Sequence, residues 1–145
     1  MKTFALSLIL AAAALSAYGS NRIIPKNPIP SAEPTYDTAT VIDIMARVTD
    51  VWEVAPYMPL EGVHLTVRSG SETLDVYVGP ADFVKMFGIT FLKGDRIEVI
   101  GSRVMTGDGD LVLASEIRMY DFTITLRDKN GVPYWRDWGR RPTLK

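Results

Sequence analysis

Apolar and polar residues alternate with a period of two from Thr40 onward, which is typical of strands that bury one face. The first such run covers residues 41–51, and its alternation slips near Thr49. We therefore expect a long first strand with a kink at that point. The apolar residues that should share its buried face are Ile42, Ile44, Ala46 and Val48.

A hairpin is predicted next. Residues 63–67 and 74–78 both alternate, and they flank the turn-forming sequence Ser69-Gly70-Ser71. The alternation places His64 on the polar side of the first of these strands, together with Thr66 and Arg68. We expect that side to be a solvated face of the sheet.

The pattern changes to helical spacing after Gly79. Pro80 suits the start of a helix, and Gly88 suits its end. Between them, Phe83, Val84 and Phe87 stand three and four residues apart, so they share one face. The sequence thus predicts one short helix from Ala81 to Phe87.

Three further strands are predicted: one that contains Ile97 and Val99 with a bulge at Gly101, and two at residues 111–119 and 122–126. Three strands, a short helix and further strands follow the element order of an OB-like barrel. We therefore predict an all-β protein with one short helix, folded as a small OB-like (Greek-key) barrel of five to six strands. Another small β-barrel or a sandwich is the alternative.

The N-terminal residues resemble an export signal. Residues 1–19 begin with Met1-Lys2, continue with an apolar run broken only by Ser7, and end in small residues. We expect cleavage there and a periplasmic or secreted protein; an uncleaved anchor is the alternative. We then expect a proline-rich linker at 20–37, the barrel at 38–128 and an aromatic, basic extension at 129–145.

Composition restricts the chemistry. The chain has 145 residues, a formal net charge of −1, one histidine and no cysteine. Without cysteine there is no disulfide, thiol nucleophile, lipidated cysteine or covalently attached haem. No nucleophile–base pair, phosphate loop or metal motif is recognisable, so we expect a protein that is not an enzyme and has no cofactor.

The C-terminal end differs in charge from the rest of the chain. Residues 127–145 contain six lysines and arginines against Asp128 and Asp137. Tryptophan and arginine are enriched where proteins bind partners, whereas the plainer interpretation is that Trp135 packs back on the barrel. The candidate binding residues are Arg127, Trp135, Arg136, Trp138, Arg140 and Arg141.

Several segments carry a family resemblance: residues 77–83, 92–103, 114–117 and 125–135, the last with the distinctive pattern Leu-Arg-Asp-x-x-Gly-x-Pro-x-Trp. They resemble the exported OB-like domain of the MamS/MamX magnetosome proteins. The resemblance implies an envelope module of mostly uncharacterised activity, whose best-studied members are implicated in iron-oxide crystal maturation. Some members carry covalent haem motifs, and the absence of cysteine separates this chain from them.

A binding module with a protein partner in the envelope is the function that these features favour. A metal- or redox-associated accessory is one alternative, with His64 and Asp75 as weak candidate ligands. A nucleic-acid or polyanion binder is another, although the acidic barrel disfavours it. The basic tail could also contact an anionic membrane surface.

Overall fold

The computed structural model describes residues 33–107 and 109–138 of the chain. The predicted export signal, most of the predicted linker, Arg140 and Arg141 lie outside these residues. In the described part, the elements are a short 3₁₀ helix (Thr38–Thr40), β1 (Val41–Val54), β2 (Gly62–Ser69), β3 (Glu72–Gly79), α1 (Ala81–Lys85), β4 (Arg96–Thr106), β5 (Gly109–Met119) and β6 (Phe122–Thr125).

Five of the strands close into a barrel. Strand β1 pairs antiparallel with both β2 and β4, β2 pairs with β3, and β4 pairs with β5. Parallel pairing of residues 75–77 in β3 with 111–113 in β5 closes the ring, and β6 adds to β5 as an extra strand. The predicted all-β, OB-like barrel with one short helix is confirmed; the helix ends at Lys85, two residues before its predicted end.

Two predicted irregularities are present. The pairing of β1 with β2 shifts register between Val48 and Asp50, and that of β4 with β5 shifts between Ile100 and Gly101. Gly101 is needed at its position because a β-carbon there would overlap the carbonyl of Leu113. Both shifts bend the strands, which lets a single sheet close on itself.

The barrel interior is filled by the apolar faces of all five strands. Helix α1 contributes Phe83 and Val84, both buried. Each fully buried side chain of this kind stabilises the fold by about 1.5–3 kcal/mol. The largest fully buried side chains in this interior include Leu65, Ile97, Ile117, Ile124 and Leu126.

A second apolar cluster lies on the outside of the barrel, over β3 and β5. It is centred on Leu60, Tyr77, Leu111 and Leu113. Side chains from both ends of the described chain pack on it: Tyr36 from the segment before β1 and Trp135 from the segment after β6. We refer to this as the outer cluster.

Residues 33–37 lie against the barrel. The backbone N–H of Leu60 donates to the carboxylate of Glu33 at 3.3 Å, and the N–H of Asp37 donates to the buried Ser102 hydroxyl at 3.0 Å.

Within the described ranges, no helix is long and apolar enough to cross a membrane.

Candidate functional site: the C-terminal clip and its two grooves

The distinctive pattern after β6 folds into a tight turn, which we call the clip (residues 126–135). The carboxylate of Asp128 accepts hydrogen bonds from the backbone N–H groups of Asn130 (2.8 Å) and Val132 (2.9 Å). The backbone N–H of Gly131 donates to the carbonyl of Asp128 at 2.9 Å. Asp128 therefore closes the turn in the manner usual for aspartate in loops.

The chain then returns alongside itself. The N–H of Tyr134 donates to the carbonyl of Leu126 at 3.0 Å, and Arg127 forms a bridge with Pro133. Leu126 is fully buried in the barrel interior, so it anchors the base of the clip. This return places the next residue, Trp135, on the barrel.

Trp135 joins the inner core to the outer cluster. Its ring lies 5.2 Å from the ring of Phe83 and 6.1 Å from that of Tyr77, and it covers Gly79. The interpretation that Trp135 packs back on the barrel is confirmed. Because the side chain remains partly exposed, it also lines a groove on each of its two sides.

Arg127 is held within the clip. Its guanidinium lies over the rings of Trp135 and Tyr36, at 5.0 and 5.6 Å, and Nη1 donates to the carbonyl of Gly131 at 3.0 Å. Nε is buried and has no hydrogen-bond partner among the described residues. Burial lowers the pKa of Arg127, and the neighbouring Tyr77, Tyr36 and Glu33 oppose that shift. The contacts make Arg127 a packing residue of the clip.

Trp138 and Arg136 follow the clip and are exposed. Two backbone hydrogen bonds continue the turn, from the N–H of Arg136 to Pro133 (3.1 Å) and from that of Trp138 to Trp135 (3.0 Å). The ring of Trp138 lies 5.6 Å from Phe83 and edge-on to it, and 46% of the residue is exposed. Trp135 and Trp138 thus share Phe83 as their support.

The first groove beside Trp135 has a volume of about 390 Å³. Its carboxylates come from the end of β1 (Glu53), the β1–β2 loop (Glu61) and the start of α1 (Asp82). Both tryptophans line it, and Val54, Pro56, Pro80 and Ala81 make the remaining wall largely apolar. We call it the acidic groove.

The second groove, of about 490 Å³, lies on the other side of Trp135. Glu33, Tyr36, Arg127, Asn130 and Arg136 contribute its polar lining. It therefore carries charges of both signs and runs between the clip and the segment that precedes β1.

The expectation that His64 lies on a solvated face is wrong. His64 does point outward from β2, but it is only 2% exposed. Trp52 of β1 stacks on the imidazole, with centroids 4.2 Å apart and planes at 23°, and Tyr77 lies 5.0 Å away on β3. Side chains of the neighbouring strands and the loop at Leu60 pack over His64 on the outer face. The alternation therefore predicted correctly that the side chain points outward, but it did not predict that other residues bury it.

His64 and Asp75 do meet across the hairpin. His64 Nδ1 lies 3.3 Å from both carboxylate oxygens of Asp75. His64 Nε2 lies 2.8 Å from the carbonyl oxygen of Leu60, and since a carbonyl can only accept, Nε2 carries a hydrogen. Both ring nitrogens are therefore engaged within the fold. In residues 33–107 and 109–138, no three potential metal ligands of the His, Cys, Asp or Glu type come together.

Tyr77 joins this network to the acidic groove. Its hydroxyl donates to the backbone carbonyl of Glu61 at 2.9 Å. Burial raises the pKa of Tyr77 well above its ordinary value, and the charge of Glu33 adds to the shift. The loop that carries Glu61 is thus fixed to the outer cluster by a protonated phenol.

Comparison with known proteins identifies the family. The model of the MamS/MamX magnetosome protein family matches residues 40–124, which span the barrel from the start of β1 into β6, and the chain belongs to that family. No curated protein matches the chain. The clip and both tryptophans of the acidic groove follow the matched residues.

Sequence reasoning identified both tryptophans of this site but missed the acidic groove. Glu53, Glu61 and Asp82 lie on three separate segments, and no local pattern connects them. Only closure of the barrel brings the end of β1 next to the start of α1. A surplus of acidic residues in the barrel region was the one available signal, and it does not specify where they meet.

Proposed function

We propose that this protein is an exported accessory module of the bacterial envelope that binds a protein partner through the surface around Trp135, Arg136 and Trp138. The observation that carries the proposal is the pair of tryptophans on Phe83, one half-buried and the other 46% exposed beside a groove. Tryptophan and arginine are among the residue types that dominate binding energy at protein interfaces. Membership of a magnetosome protein family supports an accessory role, and the proposed role is binding rather than catalysis.

Site-specific photo-crosslinking in the producing cells tests this proposal. A photoreactive phenylalanine analogue replaces Tyr134, which is 55% exposed in the clip next to Trp135. The matched control carries the analogue at Tyr120, which is 81% exposed in the turn between β5 and β6.

We expect a discrete protein adduct from position 134 in the envelope fraction and none from position 120. The adduct should disappear in a Trp138→Ala background. Equal adducts from both positions, or adducts to nucleic acid alone, would contradict a protein partner at this surface.

Export is tested separately. The full chain, produced in the bacterium, should be recovered from the periplasm or medium with a mass that corresponds to cleavage after Ala17 or Gly19. Replacement of Leu8 and Leu10 by arginine in the apolar run should leave the chain uncleaved in the cytoplasm. Retention of the unaltered protein in the cytoplasm would contradict export while leaving the binding surface to be judged by the crosslinks.

A further inference from the structure

The acidic groove combines an apolar floor with a negatively charged rim. The partly buried Trp135, Pro80 and Ala81 form its floor, and the exposed Glu53, Asp82 and Trp138 stand with Glu61 at its rim. Apolar pockets with a few polar groups at defined places are the usual form of a binding site, and a volume of about 390 Å³ lies within their ordinary range.

The rim carboxylates are not neutralised within the described residues. Four acidic side chains elsewhere on the barrel pair with arginine: Glu72 and Asp110 with Arg103, and Glu98 and Glu116 with Arg118. In the part of the chain that the structure describes, no such ion pair involves Glu53, Glu61 or Asp82. Glu61 accepts one hydrogen bond, from the backbone N–H of Tyr57. The groove therefore presents a local excess of negative charge.

Two indole rings stand beside these carboxylates. Indole is the best aromatic partner for a cation, with an attraction of about 0.5–2 kcal/mol according to how far the pair is desolvated. Carboxylates and tryptophans in one groove favour an ammonium or guanidinium group with an apolar stem, which can lie along the floor while its charge reaches the rim. An anionic ligand would face three carboxylates.

A metal ion fits this groove less well. Hard cations require several oxygen ligands within about 2–2.6 Å of one point. Among the described residues, the carboxylates of the rim do not form a group close enough to hold an ion. A spread charge such as guanidinium can instead interact with carboxylates on different sides of a groove.

We infer that the acidic groove receives an arginine or lysine side chain from a basic segment of the partner protein. This inference rests on the proposed function, because it assigns the chemistry of the partner at the same tryptophan surface. Charge complementarity selects the occupant: the wall is apolar enough to hold an aliphatic stem, and the rim carries the opposite charge. The chain's own Arg140, Arg141 and Lys145, which follow Trp138 in sequence, are the competing occupant.

Fluorescence anisotropy with a labelled peptide tests the inference. The probe is a nine-residue peptide with arginine at every second position and alanine between, and a second peptide carries glutamine in place of arginine. The groove variant combines Glu53→Gln, Glu61→Gln and Asp82→Asn. Its matched control combines Asp43→Asn, Asp50→Asn and Asp121→Asn, all exposed positions outside the groove, so both variants change the net charge by the same amount.

At low salt we expect the arginine peptide to bind the unaltered protein and the glutamine peptide not to bind. The groove variant should weaken binding at least tenfold, and the control variant less than threefold. Trp138→Ala should weaken it about three- to tenfold, whereas Phe122→Ala, at an exposed aromatic on β6, should leave it unchanged. Equal loss in both charge variants would mean general attraction by an acidic surface and would overturn the inference.

A further variant distinguishes a partner from the chain itself. If the chain's own basic residues filled the groove, replacing them (R140Q, R141Q and K145Q together) would raise peptide affinity tenfold or more, and that result would overturn the inference. An unchanged affinity supports it. Adducts at position 134 in cells without any arginine-peptide binding would refute the groove assignment alone, while absence of adducts would refute the proposed function irrespective of the peptide result.

Discussion

The ring of Tyr36 lies directly over Gly131, which links the segment before β1 to the clip after β6. A β-carbon on residue 131 would overlap that ring, and the backbone φ of Gly131 is +83°, in the region that favours glycine. Tyr36 also lies over the guanidinium of Arg127. Because residue 131 is a glycine, the ring of Tyr36 can pack against the clip. Tyr36 in turn contributes to the outer cluster and lines the second groove.

Gly131→Ala should destabilise the protein more than a glycine replacement in an open turn. Gly70 provides the matched control, since its φ is also positive (+59°) but nothing lies within 4 Å of an added β-carbon. We expect Gly70→Ala to cost about 1 kcal/mol and Gly131→Ala about 1–2 kcal/mol more, measured by urea unfolding.

A second background isolates the contact with the ring. In the Tyr36→Ala background, Gly131→Ala should lower the free energy of unfolding by about as much as Gly70→Ala does, because the ring that the added β-carbon would overlap is gone. An undiminished penalty at Gly131 in that background would show that the ring contact is not its cause.

Trp135 and Trp138 should differ in their contribution to stability, although both contact Phe83. Trp135→Ala removes a half-buried ring from two apolar clusters and should lower the free energy of unfolding by about 2–4 kcal/mol. Trp138→Ala, at a residue that is 46% exposed, should lower it by about 1 kcal/mol or less. Chemical denaturation of both variants measures the difference. A large loss at Trp138 would mean that its exposed ring supports the fold rather than a partner.

The contacts of His64 with Asp75 and with the carbonyl of Leu60 should contribute cooperatively to stability. His64→Phe retains a ring against Trp52 but leaves the carbonyl of Leu60 without its donor and Asp75 without its partner, which should cost about 1–3 kcal/mol. Arg68→Gln, at an exposed position on the same strand, should change stability by less than about 0.5 kcal/mol.

A double-mutant cycle with Asp75→Asn measures the coupling directly. We expect a coupling of at least about 0.5 kcal/mol between positions 64 and 75, since their side chains are in contact. Strict additivity of the two losses would show that the contact between the two side chains contributes nothing to stability.

Tyr77 should make the protein sensitive to alkali. Its pKa is raised in the fold, so the unfolded state loses this proton first, and unfolding above about pH 10 releases a proton. Stability from this group is therefore fully present below pH 10 and is lost as the pH rises toward the folded pKa. The expected slope from this one group approaches about 1.4 kcal/mol per pH unit.

Urea unfolding at several pH values between 8 and 11 checks this prediction. Tyr77→Phe should be less stable at neutral pH by about 1 kcal/mol, because it loses the hydrogen bond to Glu61, but its stability should fall less steeply with alkali. Tyr134→Phe, at an exposed tyrosine, should follow the curve of the unaltered protein. If the stability of all three proteins fell equally with rising pH, Tyr77 would not be the source of the sensitivity to alkali.

The local alternation of apolar and polar residues was sufficient to predict most strands of the barrel. Alternation located β1 to β5, the slip at Thr49 corresponds to the register shift after Val48, and Gly101 lies at the second shift. These features follow from backbone geometry, in which side chains alternate across a strand and irregularities interrupt that alternation. For Trp135 the sequence left two interpretations open, a binding residue or a side chain packed back on the barrel, and the fold shows the packing.

The surroundings of the side chains depended on the tertiary structure. His64 points outward as its strand position requires, yet Trp52 and the loop at Leu60 bury it. The acidic groove exists because barrel closure brings together the end of β1, the β1–β2 loop and the start of α1. The sequence by itself determined which side chains face which way along each strand; only the fold decided what covers them and which distant carboxylates meet, because those contacts join residues far apart in the chain.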